Sequence, residues 1–255
     1  MISEHAPAGQ LPGDLAAQLA KTERWVILTG AGVSADSGVP TFRDAQTGLW
    51  ARYDAYTLAT PAAFAENPTL VWDWYQWRRS LIAAAEPNAG HRAIAELAML
   101  KPGLTLVTQN VDGLHQRAGS PTVIEFHGNI NRNTCFDCGT VAAALCASDR
   151  RPPSCSICDG LLRPDVVWFG EAIPRPAIEA AFAAVERSEI FFAVGTSALV
   201  YPAAGLADAA AEAGALIVEV NPDRTPLSMV ADHVLEGPAA SWLPTIAASL
   251  REAVS

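Results

Sequence analysis

The chain has little charge, and what it has is mostly of one sign. Only 17% of its 255 residues are charged, and the formal net charge is −10 at pH 7. Without a basic surplus there is no footprint for a phosphate backbone, so nucleic acid is not an expected partner. No run is long and apolar enough to span a bilayer, so no membrane association is expected. The stretch Met1 to Asp14 has no apolar run and no Arg-rich amphipathic pattern, so neither a secretory signal nor a transit peptide is legible. Cysteine is scarce, with five residues, and it is not spread out as a secreted disulfide framework would be. A cytoplasmic location and a monomer are expected. The acidic balance suits a cationic partner such as a lysine-rich protein segment.

Half of the residues are hydrophobic, enough for a sizeable core, and the length allows one large domain with a small one appended. All five cysteines crowd between residues 135 and 158. Two residues separate Cys135 from Cys138, two separate Cys155 from Cys158, and sixteen lie between the pairs. This is zinc-ribbon spacing. Each tight turn brings two thiolates onto one metal, and two turns complete a tetrahedron. Four thiolates leave no open position, so one structural Zn2+ per chain is expected. Two disulfides or four unrelated buried thiols are the bland alternatives. Cys146 has no partner in the pattern and reads as a small buried residue.

The rest alternates between short apolar runs and helical patterns. Strands are expected at Trp25 to Thr29, Leu104 to Thr108, Val123 to Phe126, Ile190 to Val194 and Leu216 to Val220. Helices are expected at 14–22, Thr69 to Ala85, His91 to Leu100, Ala177 to Arg187 and Leu206 to Ala213. Runs that are apolar on both faces suit parallel strands covered by helices. The expected fold class is α/β, a Rossmann-like doubly wound parallel sheet with a smaller zinc-ribbon and helical lobe. Residues 1–43, 91–131 and 164–255 would form the sheet domain. Residues 44–90, a helical insertion, and 132–163, the zinc ribbon, would form the small lobe.

The first strand ends in a glycine loop, Gly30 to Gly38, in which Gly30, Gly32 and Ala35 match a G-x-G-x-x-A dinucleotide fingerprint. Glycines let backbone amides approach a pyrophosphate, and a helix start favours its charge. No acidic ribose ligand follows on a clear strand, which counts against an ordinary dehydrogenase. Gln109, Asn110 and Asp112 follow another strand and can hold a carboxamide or ribose hydroxyls; a self-bonded polar turn is the alternative. Of five histidines, only His115 and His127 lie in site-like stretches, and His115 reads as structural.

The stretch GAGVSADSGVPTFR resembles the signature of the sirtuins, the NAD-dependent protein deacylases. Five further blocks follow in family order: TQNVDGLH at 108–115, EFHG at 125–128, VWFGE at 167–171, GTS at 195–197, and Asn221. The resemblance implies NAD+ as co-substrate and acylated-lysine proteins as partners. It implies an NAD+ pocket of Gly30, Ala31, Gly32, Ser34, Ala35, Asp36, Pro40, Thr41, Phe42, Arg43, Trp50, Gln109, Asn110, Asp112, Gly195, Thr196, Ser197, Asn221 and Ala239. His127 and Asn110 would be catalytic. In the implied reaction the acyl-lysine oxygen attacks C1′ of the nicotinamide ribose and nicotinamide leaves. His127 then activates a ribose hydroxyl, and water releases lysine and O-acyl-ADP-ribose. Phe42 would shield C1′ and Arg43 would neutralise phosphate. Val167, Trp168, Phe169, Gly170 and Glu171, read as extended, would take the substrate backbone as an added strand, with Tyr201 also at the substrate.

Ala59, Tyr75 and Arg78 match the pattern of desuccinylase-type sirtuins. A guanidinium forks onto a carboxylate and a phenol adds a donor, so succinyl- or malonyl-lysine is implied beside acetyl. From pattern alone, an aromatic core stripe of Trp72, Trp74 and Trp77 with snorkelled arginines fits equally. Other classes remain open on the residues: a Rossmann oxidoreductase with a structural zinc, a protein ADP-ribosyltransferase, or a non-catalytic zinc-ribbon adaptor.

Overall fold

The structure, a computed structural model, describes residues 10–39, 53–142 and 150–254. In chain order the strands are β1 (Trp25–Thr29), β2 (Thr105–Thr108), β3 (Ile124–Glu125), β4 (Gly128–Cys135), β5 (Leu162–Val166), β6 (Ile190–Val194), β7 (Leu216–Asn221) and β8 (His233–Glu236). The helices are α1 (Gly13–Lys21), α2 (Ala55–Leu58), α3 (Pro61–Glu66), α4 (Pro68–Ala84), α5 (Ala89–Leu100), α6 (Leu114–Arg117), α7 (Arg175–Val185), α8 (Gly205–Glu212) and α9 (Ala239–Val254).

Six strands form one parallel sheet in the order β3-β2-β1-β6-β7-β8. Numbered within the sheet, this is the doubly wound order 3-2-1-4-5-6, which reverses between β1 and β6. Alternate residues of a strand point to opposite faces. Trp25 and Ile27 of β1 accordingly join one core, with Leu19 of α1, Ile94 and Leu97 of α5, and Leu243 and Ile246 of α9. Val26 and Leu28 join the other, with Val185 of α7 and Leu206 and Ala210 of α8. Both faces are covered, which is why β6 is apolar throughout and β1 is apolar up to Thr29. No helix among the described residues is long and apolar enough to cross a membrane.

β8 and α9 lie outside the elements expected from the sequence. β8 is a four-residue edge strand, too short for a periodic signal. α9 carries Pro244 in its interior, and an interior proline normally argues against a helix. Burial of Leu243, Ile246, Ala247 and Leu250 outweighs the lost amide bond.

The segment before α5 is helical because its prolines open helices. Pro61 and Pro68 stand at helix starts, where a missing N–H costs nothing. The Thr60 hydroxyl accepts from the Ala63 amide, and the Asn67 carbonyl oxygen accepts from the Leu70 amide. Caps of this kind contribute about 1 kcal/mol each. The helices share a third apolar cluster, with Phe64, Val71, Trp74 and Tyr75 packed on Ile130, Val166 and Trp168. Ile130 and Val166 belong to β4 and β5, an antiparallel pair that leads into the cysteine turns.

The four sulfurs of Cys135, Cys138, Cys155 and Cys158 lie within 4.8 Å of one another. Cys135 Sγ and Cys158 Sγ are 3.5 Å apart, and Cys138 Sγ and Cys155 Sγ are 3.8 Å apart. A tetrahedral zinc with bonds near 2.3 Å separates its thiolates by about 3.8 Å. A disulfide requires about 2 Å. The cluster therefore fits one zinc and not two disulfides. Amides of the turns point at the sulfurs, as in Ile157 N to Cys155 Sγ at 3.4 Å. Cys146 lies outside the described residues. Metal analysis of the purified protein should give close to one zinc per chain. Cys135→Ala combined with Cys155→Ala should lose it and lower the melting temperature, since metal binding is part of the folding free energy.

Candidate active site

At the reversal between β1 and β6 the two strand ends touch. The Gly32 amide donates to Gly195 O at 2.8 Å, and the Gly30 amide to Val194 O at 3.0 Å. A Cβ on Gly30 would lie 2.7 Å from Gly195 O, and one on Gly32 2.8 Å from Gly195 Cα. Gly195 has φ +58, and its own Cβ would meet Val33 N at 2.5 Å. The fingerprint glycines are thus required first by this backbone crossing. The turn that follows, Ala31–Ser37, is a 3-10 helix rather than the start of a long α-helix.

Below the crossing lies a cavity of about 660 Å³. Its polar wall is a chain of committed hydrogen bonds. Asn110 Nδ2 donates to Gly30 O at 3.0 Å and to Ser34 Oγ at 3.1 Å. Ser34 donates to Asp112 Oδ2 at 2.7 Å, while Asp112 Oδ1 accepts from the Leu114 amide at 2.8 Å. Both oxygens of buried Asp112 are therefore occupied, and it acts as a buttress. The Asn110 side chain is locked through its Nδ2. Its backbone is held as well, because the Asn110 amide donates to Thr108 Oγ1 at 3.0 Å. Gln109 Nε2 donates to Thr196 Oγ1 at 3.1 Å.

Two buried histidines support this wall. The Asn88 amide donates to His91 Nδ1 at 3.3 Å, which leaves the Nε2 proton facing Ser34 Oγ at 3.4 Å. His115 Nε2 meets Thr29 Oγ1 at 2.9 Å, and Thr29 passes its own proton to Thr108 Oγ1 at 2.8 Å. Burial, with the neighbouring His91 adding to it, pushes His115 down to about 3. It is a neutral structural residue, as the sequence suggested. His91 was not among the site candidates, since a histidine at the start of a helix carries no local mark of its partner Ser34.

His127 stands at the entrance to β4. Its Nδ1 lies 3.0 Å from Gln109 O. A carbonyl only accepts, so Nδ1 carries the proton and Nε2 is the basic atom facing the cavity. Burial lowers its pKa below the usual imidazole value, and the Gln109 carbonyl partly offsets this.

The opposite wall comes from α4 and the segment after β5. Tyr75 is buried, and its hydroxyl accepts from Trp168 Nε1 at 2.8 Å. Burial raises Tyr75 to about 12, against the pull of Arg78, so the phenol keeps its proton. Arg78 lines the same cavity, and its guanidinium lies 5.2 Å from the Trp74 ring centroid. The neighbouring Arg79 does structural work instead. It donates to Ile130 O, Arg132 O and Asn133 Oδ1 and covers Trp72.

Val167 to Glu171 is not extended throughout. It turns at Phe169 and Gly170, and the Glu171 amide donates to Trp168 O at 3.0 Å. The cause is the Glu171 carboxylate, which Arg163 grips with both guanidinium nitrogens, pulling the chain back. The amides of Val167, Trp168 and Phe169 are bonded to His127 O, Glu171 Oε2 and Ala59 O. The segment therefore does not offer a free run of donors to an added strand.

Of the residues anticipated from sequence, the cavity brings together Gly30, Ala31, Gly32, Ser34, Ala59, Tyr75, Arg78, Gln109, Asn110, Asp112 and His127. It also takes in Val167 to Glu171, Gly195 to Ser197 and Tyr201. Ala35 and Asp36 are exposed and do not line it. Asn221 stands one layer back, its Nδ2 donating to Thr196 O at 3.3 Å, and Ala239 is buried beside Gly90. Pro40, Thr41, Phe42, Arg43 and Trp50 lie outside the described residues. Tyr56 and Ile173 line the cavity without having been anticipated. Tyr56 stacks on Phe169 at 5.0 Å, a pairing across more than a hundred residues that no local pattern marks.

Comparison with known proteins gives this geometry its family. The Sir2 family model matches residues 30–202. The NAD-dependent protein deacylase of Ralstonia nicotianae is 51% identical over 93% of this chain and 96% of its own length. That of Aquifex aeolicus is 49% identical over 89% of this chain and 95% of its own. The crystal structure of a Sir2 homologue in complex with NAD covers 98% of both chains with a TM-score of 0.89 at 43% identity. A mutant Sir2 homologue in complex with 2′-O-acetyl-ADP-ribose covers 96% of this chain and 98% of its own with a TM-score of 0.88 at 44% identity. A sheet reversed at a glycine crossing, a cavity with a fixed histidine tautomer, a four-thiolate cluster and these similarities together show that the chain belongs to the Sir2 family.

Proposed function

We propose that this sirtuin, an NAD-dependent protein-lysine deacylase, accepts succinyl and malonyl as well as acetyl groups, with His127 as its general base. The observation that carries the reading is that Tyr75 and Arg78 line the same cavity as His127 and Asn110. Ala59, buried at 2% exposure, leaves the space beside them that a larger side chain would fill. The smaller lobe, 44–90 with 132–163, is on this reading the acyl side of the cleft, and the sheet domain is the dinucleotide side.

When bound, NAD+ supplies an electrophilic ribose carbon and a nicotinamide leaving group. The donor set suits it. Asn110 lines the cavity, and its side-chain oxygen would accept from ribose hydroxyls, with Gln109 and Ser197 bordering the same space. His127 Nε2 can take a hydroxyl proton, because Gln109 O fixes the other nitrogen as the donor. Largely apolar walls border the reacting centre. At the far end, the Arg78 guanidinium and the protonated Tyr75 hydroxyl would receive an acyl carboxylate.

Incubation with NAD+ and an acyl-lysine peptide should release nicotinamide and O-acyl-ADP-ribose in equal amounts. His127→Ala should lower turnover by about 10²- to 10⁴-fold. Full activity in that variant would remove His127 from the chemistry. Because burial lowers the His127 pKa, the basic form persists to lower pH than for a free imidazole. The acidic limb of kcat/KM should therefore fall below the ordinary value of about 6.5.

Arg78→Met tests the acyl preference. A charge-assisted hydrogen bond contributes about 1.5–3 kcal/mol, so the ratio of desuccinylation to deacetylation kcat/KM should drop about ten- to a hundredfold. Equal losses on both substrates would make Arg78 a residue of the fold alone.

A further inference from the structure

We infer that Trp168 is a specificity-determining residue, whose indole N–H orients the Tyr75 hydroxyl toward an acidic acyl group, and that the Arg163–Glu171 pair positions it. The inference rests on the acyl reading above and extends it to residues outside the Tyr75–Arg78 pattern.

The geometry starts at Tyr75. Its hydroxyl oxygen accepts the indole proton of Trp168 at 2.8 Å, in a fully buried contact. An indole N–H is a donor only, and so is the Arg78 guanidinium. Neither can take the phenolic proton. Among the described residues the hydroxyl accepts from the indole and donates to no other group. With its acceptor side filled by the indole, the hydroxyl presents its proton to whatever acceptor occupies the cavity. An acyl carboxylate is such an acceptor, and an acetyl methyl is not. Donation into the oxygen also polarises the O–H bond and makes it a stronger donor.

Trp168 must itself be held for this to work, and it is held on three sides. The Arg163 guanidinium carbon lies 3.3 Å from the centroid of its ring. Arg163 makes a two-nitrogen pair with Glu171 and donates to Val166 O at 2.6 Å. Glu171 Oε2 accepts from the Trp168 amide at 2.8 Å. Phe64 packs against the ring, with centroids 5.3 Å apart. The Arg163 side chain is 8% exposed, so its charge has little other solvation and the pair with Glu171 is obligatory. The indole is thus a fixed plate whose polar edge meets one atom, the Tyr75 oxygen.

The test is a double-mutant cycle read as a ratio. Trp168→Phe keeps an aromatic body and deletes the N–H. Tyr75→Phe deletes the hydroxyl it serves. Succinyl and acetyl forms of one peptide are assayed on the same preparation, so any inactive fraction cancels in the ratio of kcat/KM values. Trp168→Phe should lower the succinyl-to-acetyl ratio about three- to tenfold, the effect of one neutral hydrogen bond. In the Tyr75→Phe background the same substitution should leave the ratio within about twofold, because the bond is already gone. An unchanged ratio in Trp168→Phe overturns the inference, and so does an equal change in both backgrounds. If Trp168→Phe does not fold, Glu171→Gln takes its place. It weakens the grip on the ring and leaves Tyr75 and Arg78 unchanged, and it should lower the ratio in the same background-dependent way. The acyl reading fails separately: there, Arg78→Met and Tyr75→Phe would themselves leave the ratio unchanged.

Discussion

At the centre of the sheet, the loops after β1 and β6 press backbone against backbone. The Gly32 amide bonds to Gly195 O, and there is no room for a Cβ on Gly30, Gly32 or Gly195. Everything in the cavity is referred to this crossing. Gly30 O, fixed by it, accepts from Asn110 Nδ2, which donates a second bond to Ser34 Oγ. The strand order reverses at this point, so the loops diverge and leave a crevice at the strand ends. A crossing made of hydrogen-bonded backbone is stiff, and stiffness is what a site needs if it must hold a ribose in one orientation.

Around the crossing, few buried polar atoms are left unspent. Asp112, Ser34, Asn88 and His91 form one chain, and His115, Thr29 and Thr108 form a second. Both end on Asn110, one at its side chain and one at its backbone amide. In a low-dielectric interior such chains specify a single arrangement, because any rearrangement leaves a buried group unpaired. The same logic sets the histidines apart. His115 is held neutral by burial, whereas His127 has one nitrogen tied to Gln109 O and the other turned to the cavity.

The small lobe solves a different problem. Its helices and its two strands bury a third, smaller apolar cluster, which is supplemented by four thiolates placed for zinc. Between that cluster and the sheet runs the segment that carries Trp168. The buried Arg163–Glu171 pair bends it into a turn and denies it the free edge of a strand. On the proposed acyl reading, the residues that would set acyl specificity also belong to the apolar cluster of this lobe.

Local chemistry made part of this legible before any coordinates. Trp25 to Thr29 and Ile190 to Val194 are buried on both faces, and a run of β-branched and aromatic residues ending at glycine announces that without reference to partners. The paired cysteines are equally local, since two-residue spacing alone brings their sulfurs together. What depends on a distant residue had no mark in the sequence. α9 is helical in spite of Pro244 because the sheet buries its apolar face, and β8 is a strand because β7 offers it an edge. His91 finds Ser34, and Arg163 finds Glu171, only once the chain has folded. Asn221 ends its strand as expected, yet it stands one layer behind the cavity, bonded to Thr196 O. The sequence by itself determined that the apolar runs of the central sheet would be strands, which thiols would meet and which family the loop residues resemble. Tertiary structure alone decided the tautomer of His127, the turn at Phe169 and the partner of the Tyr75 hydroxyl. Each of those depends on hydrogen bonds between atoms that only the packing of separate elements brings within 3 Å or so of each other.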